Sequence, residues 1–329
     1  MRRRGCETSP IGDISIDSRP AANYLESMMF DERKTDLLCV SPALQSRFPE
    51  IFEIILSNCQ ASKIELHVVQ HFNDTSQNIW VRDWLPLQVG RRFIKFKYQY
   101  PGFNPQFPML RVQKTDWSWL PDVKESRINL DGGNCQRDRQ YAVMTDYVIT
   151  RNSSIKPADL ITRLEKLLEA EIILIPHDPS DNLSRPEGIG HSDGIVHFVP
   201  GTNKIMVDDF SQMKSSRYHR YFDELLGCLR RFEIILMPNA LSKTPRMTEK
   251  QFRVKYPHAD TFNPGYGYYI NFLLVKNLLF LPVFDIVEDD QVVEIIRKHF
   301  PEQKIVMVPC RDLSMQGGLC NCIAVGYEK

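Results

Sequence analysis

Residues 35–40, Thr35-Asp36-Leu37-Leu38-Cys39-Val40, and residues 63–69, Lys63-Ile64-Glu65-Leu66-His67-Val68-Val69, bracket the segment whose reading decides the fold. Both are short apolar runs of strand length. Between them, residues 42–57 carry Leu44, Phe48, Ile51 and Ile55 three or four positions apart, the spacing that lines one face of a helix. Pro42 opens that segment, where the first turn of a helix has no use for a backbone N–H. The phrase is strand, helix, strand.

The same phrase returns, so the chain reads as an internal repeat of supersecondary units too divergent to show as residue identity. Residues 141–150 lead into a helix over 157–170 and a strand at 171–175; residues 204–208 lead into 216–230 and 233–237; residues 277–283 lead into 288–300 and 304–308. Some units have an additional strand in front, at 194–199 and at 268–275. Residues 93–129 fit least, with prolines at 101, 105, 108 and 121 and no good helix, so a unit there would be degenerate. Residues 1–28, polar with Pro and Ser, read as an irregular lead-in, and residues 29–329 as a single catalytic domain.

At 329 residues with 43% hydrophobic content, the chain can bury a sizeable core. Its 41 basic residues equal its 41 acidic ones, so no overall field would recruit nucleic acid or an anionic membrane, and a small ligand is the expected partner. No stretch approaches ~18 consecutive apolar residues, the length of a membrane span. The start, Met1-Arg2-Arg3-Arg4-Gly5, has the charge of a signal-peptide n-region, but no apolar run follows Cys6-Glu7-Thr8-Ser9-Pro10, so secretion is not expected. The eight cysteines are scattered, as in a reduced, cytoplasmic protein. On that reading Asn73-Asp74-Thr75, Asn152-Ser153-Ser154 and Asn182-Leu183-Ser184 match the glycosylation pattern by chance.

What does not repeat is a set of short loops rich in chemistry. In Gly317-Gly318-Leu319-Cys320-Asn321-Cys322-Ile323, two glycines allow a tight turn or a close approach, and the β-rich run behind them can pin a cysteine in place. His191-Ser192-Asp193 is read as opening the strand over 194–199, where period-2 alternation points His191 and Asp193 the same way. Asp83, between Trp80, Arg82 and Trp84, is either a structural ion pair or a partly desolvated carboxylate suited to a planar cation. Asp131-Gly132-Gly133-Asn134 could equally be a hairpin turn. Cys320-Asn321-Cys322 lacks third and fourth ligands for a metal.

The order Trp-x-Arg-Asp at Trp80, Arg82 and Asp83, acidic-Gly-Gly at Asp131, Gly-His-x-Asp at His191 and Asp193, Tyr-x-Asn-Phe at Tyr269, Asn271 and Phe272, and Gly-Gly-x-x-x-Cys-Ile at Gly317 to Ile323 resembles the agmatine deiminase and bacterial peptidylarginine deiminase branch of the guanidino-group-modifying superfamily. The resemblance spans about Leu37 to Lys329. It implies an α/β fold, a five-bladed α/β propeller of ββαβ units (the pentein fold) around a central active site. By resemblance Cys322 is the nucleophile, His191 the general acid/base, Asp83 and Asp193 the carboxylates that grip a guanidinium, and Asp131 a partner of His191. Trp80, Arg82, Asn271 and Gly318 match motif positions with supporting roles in binding. The sequence departs from the family at Asp131, where Glu is usual, at Asn321, where His is frequent, and at Trp84 and Leu85, where a small residue and Gly are usual. The last departure is expected to put bulk beside Asp83 and to narrow the entrance or offer an aromatic face to the substrate's tail.

These residue types suit the chemistry. Two carboxylates hold a planar cation and balance its charge. A thiolate is nucleophilic enough to attack its carbon, and an imidazole can protonate the departing ammonia and then activate water. The expected activity is hydrolysis of a small guanidine such as agmatine to a ureido product, needing no metal and no organic cofactor. The rivals are a peptidylarginine deiminase or an amidinotransferase on the same fold, a metal hydrolase built on His191, Asp193, His197 and Asp83, and a guanidine-binding protein without catalysis.

Overall fold

The computed structural model describes residues 31–69, 78–98, 117–179, 190–256 and 264–329; the expected lead-in over 1–28 and the expected glycosylation-like sites at Asn73 and Asn182 lie outside them. The opening phrase is built as β1 (Leu37–Val40) running parallel to β2 (Glu65–Val68), with Leu37 opposite Glu65. The connection is two helices, Pro42–Arg47 and Pro49–Ala61, where the sequence reading has one. Pro49 explains the break: it has no N–H to continue the first helix and disfavours helical backbone at Phe48, which takes φ −135° and ψ 61°. The Ser41 side chain caps the first helix by accepting from the Ala43 N–H at 3.2 Å.

The unit then recurs. β3 (Leu87–Val89), β4 (Arg92–Lys97) and β5 (Val123–Asn129) form a sheet in the region where the pattern is weakest, and the register of β4 on β5 shifts between Lys95 and Lys97. That irregularity and the prolines obscure the period in sequence; residues 99–116, which hold three of those prolines, lie outside the described residues. The next sheets are β6 (Gln136–Arg137), β7 (Tyr141–Thr145) and β8 (Glu171–Ile175); β9 (Val196–Val199), β10 (Lys204–Asp208) and β11 (Glu233–Met237); and β12 (Leu273–Val275), β13 (Leu278–Val283) and β14 (Lys304–Pro309). In each of these sheets the middle strand is antiparallel to the strand before it and parallel to the strand after it. Helices Pro157–Leu168, Ser216–Cys228 and Glu288–His299 make the parallel crossovers, and Leu160, Leu164 and Leu168 show the buried stripe of one such helix. β7 stops at Thr145, five residues earlier than expected, because the chain turns at Asp146 into a short helix, Tyr147–Arg151, that buries Tyr147 and Val148.

Among the described residues five three-stranded sheets result, and the first is completed from the far end of the chain: β15 (Ala324–Tyr327) pairs antiparallel with β1, giving the order β15-β1-β2. Four of the five sheets have the helical crossover of the expected ββαβ unit, with the first unit's leading strand supplied last; the connection between β4 and β5 runs through residues outside those described. The central strands carry the core, since every residue of β1 is buried and all of β13 but Val283. Each aliphatic side chain so enclosed contributes roughly 1.5–3 kcal/mol.

Close approach makes that first sheet possible. Gly326 lies opposite Leu38, and a Cβ there would sit 2.5 Å from Cγ2 of Thr35, whose Oγ1 donates to the Glu32 carbonyl at 2.7 Å. Gly326→Ala is therefore expected to cost about 1–3 kcal/mol of unfolding free energy by overpacking. Thr35→Ser in the same chain removes the obstructing methyl, keeps the hydroxyl and should recover most of the loss. Urea denaturation of the four-member cycle checks this, and an equal loss in the Thr35 and Ser backgrounds would show that the crowding lies elsewhere.

Candidate active site

The segments that precede the first strand of each unit carry the site. Asp83 stands just before β3, Asp131 before β6, His191 and Asp193 before β9, Asn271 before β12 and Cys322 before β15. A repeat that brings the starts of its leading strands together brings these five segments together as well. Local geometry then aims them. The short helix Val81–Trp84 presents Asp83, a 3-10 turn over Gly132–Asn134 follows Asp131, and a second, Ser192–Gly194, holds Asp193 with His191 at its N-cap. The expected strand start at residue 194 is therefore corrected: His191 and Asp193 face one place because a tight turn folds them there, and β9 begins only at Val196.

Convergence is sharpest at Gly133. A Cβ on that residue would lie 2.8 Å from Asp83 Oδ1, 2.8 Å from His191 Nδ1 and 3.1 Å from Asp193 Oδ2, so any side chain there would displace the three groups from one another. His191 Nδ1 lies 3.5 Å from Asp83 Oδ1, and on the other side of the ring Nε2 donates to Asp131 Oδ2 at 3.2 Å. Cys322 Sγ sits 3.6 Å from Asp193 Oδ2 and 3.4 Å from Asn271 Oδ1. Asn271 in turn donates through Nδ2 to the Asp193 carbonyl at 3.2 Å and accepts from the Asn321 N–H at 3.2 Å. Gly318 sits between the Trp80 ring and Cβ of Cys322.

The turn that holds Cys322 is tied down by Arg82. Its backbone N–H donates to the Cys322 carbonyl at 3.2 Å, and its Nε donates to the Asn321 carbonyl at 3.1 Å. Asp83 does not serve as the partner of Arg82, as the ion-pair alternative would have it; it accepts instead from the Gly133 N–H at 3.3 Å and faces His191. Behind the turn, the charge of Arg82 faces Glu32, whose carboxyl burial pushes up to about 7.

Electrostatics dominate the centre. Burial pushes Asp83 up to about 7, reinforced by Asp131 and Asp193 and opposed by His191 and the Gly133 N–H. Burial alone would lower His191, but Asp83, Asp131 and Asp193 outweigh it and hold the imidazole at about 9, so it carries a proton at neutral pH. The Cys322 thiol is raised well above its ordinary value, first by burial and then by the charges of Asp193 and Asp83. A buried thiol, an imidazolium and two carboxylates around one space can accept a planar cation and attack it, because such a cation cancels the charges that keep the thiol protonated.

Several expectations need correction. Trp84 does not border the entrance: it is 1% exposed and packs with Val81, Leu85 and Trp117, its Nε1 3.4 Å from Asn78 Oδ1. Leu85 is buried in the same cluster. On a four-residue helix the side chains of Asp83 and Trp84 leave in different directions, so neighbours in sequence are not neighbours in the pocket. His197 cannot join a metal site with His191 and Asp193, for it stacks on Phe272 with ring centroids 4.1 Å apart and donates through Nδ1 to the Phe198 carbonyl at 2.8 Å. Among the described residues no three His, Cys, Asp or Glu side chains are grouped to hold a metal ion. Cys320 turns away from Cys322 and lies 3.6 Å, sulfur to sulfur, from Cys310. Two contributors were missed. Asn321, read only as a departure, donates through Nδ2 to Asp193 Oδ2 at 2.9 Å, and Arg151 reaches to 3.7 Å from Asp131 Oδ1. Arg151 belongs to no motif and carries no sequence signal.

The sequence profile of the family described as Porphyromonas-type peptidyl-arginine deiminase matches residues 30–327. Among curated proteins, the agmatine deiminase of Pseudomonas fluorescens is 29% identical over 210 residues, which cover 59% of this chain and 55% of that protein. The agmatine deiminase of Pseudomonas syringae pv. syringae is 28% identical over 210 residues, 59% and 55% of the two chains, so these alignments span little more than half the length of those relatives. Among solved structures, the agmatine deiminase of Enterococcus faecalis superposes with a TM-score of 0.68 at 17% identity, covering 92% of this chain and 95% of that one. A substrate-bound agmatine deiminase of C. jejuni gives 0.66 at 15%, covering 92% and 96%. At these identities the structural likeness is one of fold.

Asp193 should govern the reactivity of the thiol. Asp193→Asn removes the nearest negative charge, and the Cys322 thiol pKa is expected to fall. Iodoacetamide alkylation of Cys322, counted against a Cys322→Ser control, should then proceed faster at a given pH. An unchanged pH dependence would mean that the carboxylate is not what keeps the sulfur protonated.

Proposed function

Because the chain belongs to the Porphyromonas-type peptidyl-arginine deiminase family, we propose that it is a hydrolytic deiminase that converts a small guanidino compound of the agmatine type into the ureido product and ammonia. The observation that carries this reading is the meeting of Asp83, His191 and Asp193 around Gly133, with Cys322 against Asp193.

Asp83 and Asp193 receive the guanidinium, whose positive charge offsets theirs and releases the Cys322 thiol from the influence that keeps it protonated. The thiol gives its proton to solvent, and the thiolate attacks the guanidinium carbon. His191, protonated at neutral pH, gives its proton to the departing nitrogen, so ammonia leaves and a thiouronium remains on Sγ. The imidazole, now neutral and steadied by Asp131, takes a proton from water; the hydroxide adds to the same carbon, its remaining proton passes to sulfur as the C–S bond breaks, and the ureido product departs, leaving the thiol and the imidazolium as they began. The balance is one guanidinium and one water to one urea and one ammonium, the ammonia taking up the proton that the thiol released to solvent. Every step uses side chains of the chain itself.

The preference for an alkylguanidine rests on two supports. The relatives named above are agmatine deiminases. The cations described beside the site are also committed, Arg82 to the Asn321 carbonyl and Arg151 to Asp131, which leaves neither to meet the carboxylate of free arginine. Trp84 gives no support, being in the core.

The test is ammonia release from agmatine, arginine and a peptidyl-arginine. We expect kcat/KM for agmatine to exceed the other two by at least roughly tenfold, or about 1.4 kcal/mol. Citrulline formed in the peptide, with agmatine untouched, would move the assignment to the peptidylarginine reading suggested by the family's description. Cys322→Ser should abolish turnover while Cys320→Ser leaves most of it, and mass spectrometry of a quenched reaction should find the adduct on Cys322; an adduct on Cys320 would overturn the assignment.

The pH profile has a definite sign. Asp83 must be ionised to hold the cation, so kcat/KM should fall as pH drops through about 7. His191 must be protonated to release ammonia, so it should fall again as pH rises through about 9. A profile still rising well above pH 9 would exclude His191 as the acid.

A further inference from the structure

Arg151 lies at the end of the helix Tyr147–Arg151, in the third unit, and the mechanism above assigns it no step. Its setting is nonetheless fixed on every side. Nη2 donates to Asn129 Oδ1 at 3.0 Å, Nη1 donates to the Tyr147 hydroxyl at 3.2 Å, and the guanidinium carbon stands 5.4 Å from the centre of the Tyr147 ring. What it points at is Asp131. Nη2 lies 3.7 Å from Asp131 Oδ1, with the two side chains 11% and 8% exposed. That oxygen is buried and has no hydrogen-bond partner among the described residues, while the other oxygen of the same carboxylate accepts from His191 Nε2 at 3.2 Å.

We propose that Arg151 is a positioning residue for the deiminase reaction: by neutralising one oxygen of Asp131 it sets how strongly the other holds the proton of His191. The proposal rests on the deiminase reading for its catalytic meaning, but not for its physics. A carboxylate shared between a fixed guanidinium and an imidazole pulls less on the imidazole's proton than one that faces the imidazole alone. Without that restraint, three carboxylates would surround His191 with no built-in cation among them, and the imidazole would give up its proton to the departing nitrogen less readily. Arg151 therefore keeps the general acid acidic enough to act.

Other charges also face these groups. His191 meets Asp83 from the helix Val81–Trp84, Asp131 from the segment before β6 and Asp193 from its own turn. The charge of Asp131 is felt in addition by Asp83 and by Lys95 on β4, which burial holds at about 8 against the pull of Glu125 and Asp131. Lys95 is directed elsewhere, its Nζ donating to the Phe96 carbonyl at 2.6 Å. It is thus the residual cation that would blunt, without abolishing, the effect of removing Arg151.

The experiment reads His191 directly, by NMR titration of the imidazole in the full-length protein, with His191→Gln to assign its signal. Arg151→Gln should raise the imidazole pKa by about one unit, and Arg151→Lys, which keeps the charge, should restore most of the original value. In an Asp131→Asn background Arg151→Gln should cause no further shift, because the carboxylate through which it acts is gone. In turnover, the alkaline limb of the pH profile should move up with the imidazole while kcat at neutral pH falls. A structural role alone would lower the melting temperature and leave the titration where it was, and an unmoved or lowered imidazole pKa in folded Arg151→Gln overturns the proposal. If that variant does not fold, Asn129→Ala, which frees Nη2 from its anchor, should give a smaller rise of the same sign, and its absence counts equally against the idea. If the unsubstituted protein releases no ammonia from any guanidine, the deiminase reading fails, while the titration still decides what Arg151 does to His191.

Discussion

The mutual repulsion of buried carboxylates is the constraint to which the rest of the molecule answers. Asp83, Asp131 and Asp193 press upon one imidazole in a buried space, and Asp131 and Asp193 add to the burial that makes the ionisation of Asp83 harder. Left to itself such a group would take up protons or spread apart. They do not spread apart, because each carboxylate is delivered by a different unit, on a short turn clamped by its own hydrogen bonds: Asp83 by the Gly133 N–H, Asp193 by Asn321, Asp131 by His191. The hydrophobic crossovers behind those turns hold apart by packing what electrostatics would push farther. The resting site is therefore short of positive charge, and on the proposed deiminase reading a guanidinium entering it supplies what the protein withholds, so that recognition and activation of the thiol are the same event.

Much of this was legible in the chain. The alternation of short apolar runs with amphipathic helices located β8, β10 and β11 to the residue, because those strands are bounded by polar turns on both sides. The loops that interrupt the repeat pointed to Cys322, His191, Asp83, Asp193 and Asp131, and the structure brings all of them together. Where the reading failed, a tertiary cause can be named. A proline in the middle of an apolar stripe splits a helix while leaving its spacing intact, as Pro49 does. A register slip beside β4 hides a unit, and a turn can mimic a strand when only two side chains are compared, as around His191. The direction of a side chain on a single helical turn cannot be guessed from its neighbour, so Trp84 was placed at the entrance and belongs to the core. Arg151 and Asn321 act across units, and no local pattern announces a partner that distant in the chain.

Polar groups beneath the site follow a complementary logic. His197, buried against Phe272, is held at about 4 by its surroundings and stays neutral, whereas Glu32, 3.6 Å from its Nε2, is pushed up to about 7 by burial. Arg82 stands between this pair and the cysteine turn, offering its charge to one side and two N–H groups to the other. Cys322 is thus mounted on a cation whose own surroundings are buried, and the placement of Sγ depends on residues behind the turn.

The pairing of β15 with β1 joins Tyr327 to Leu37 across nearly the whole chain. Loop-closure entropy makes such a contact slow to form, and the rate of folding falls as contacts of this separation accumulate. Cys322 lies just ahead of that strand, so its position is set only when the most distant strand pairing among the described residues has been made. Intermediates with several sheets in place would still lack an aligned sulfur. On the proposed reading turnover then reports complete folding, and a partly assembled chain, whatever secondary structure it has acquired, does not bring Cys322 against Asp193.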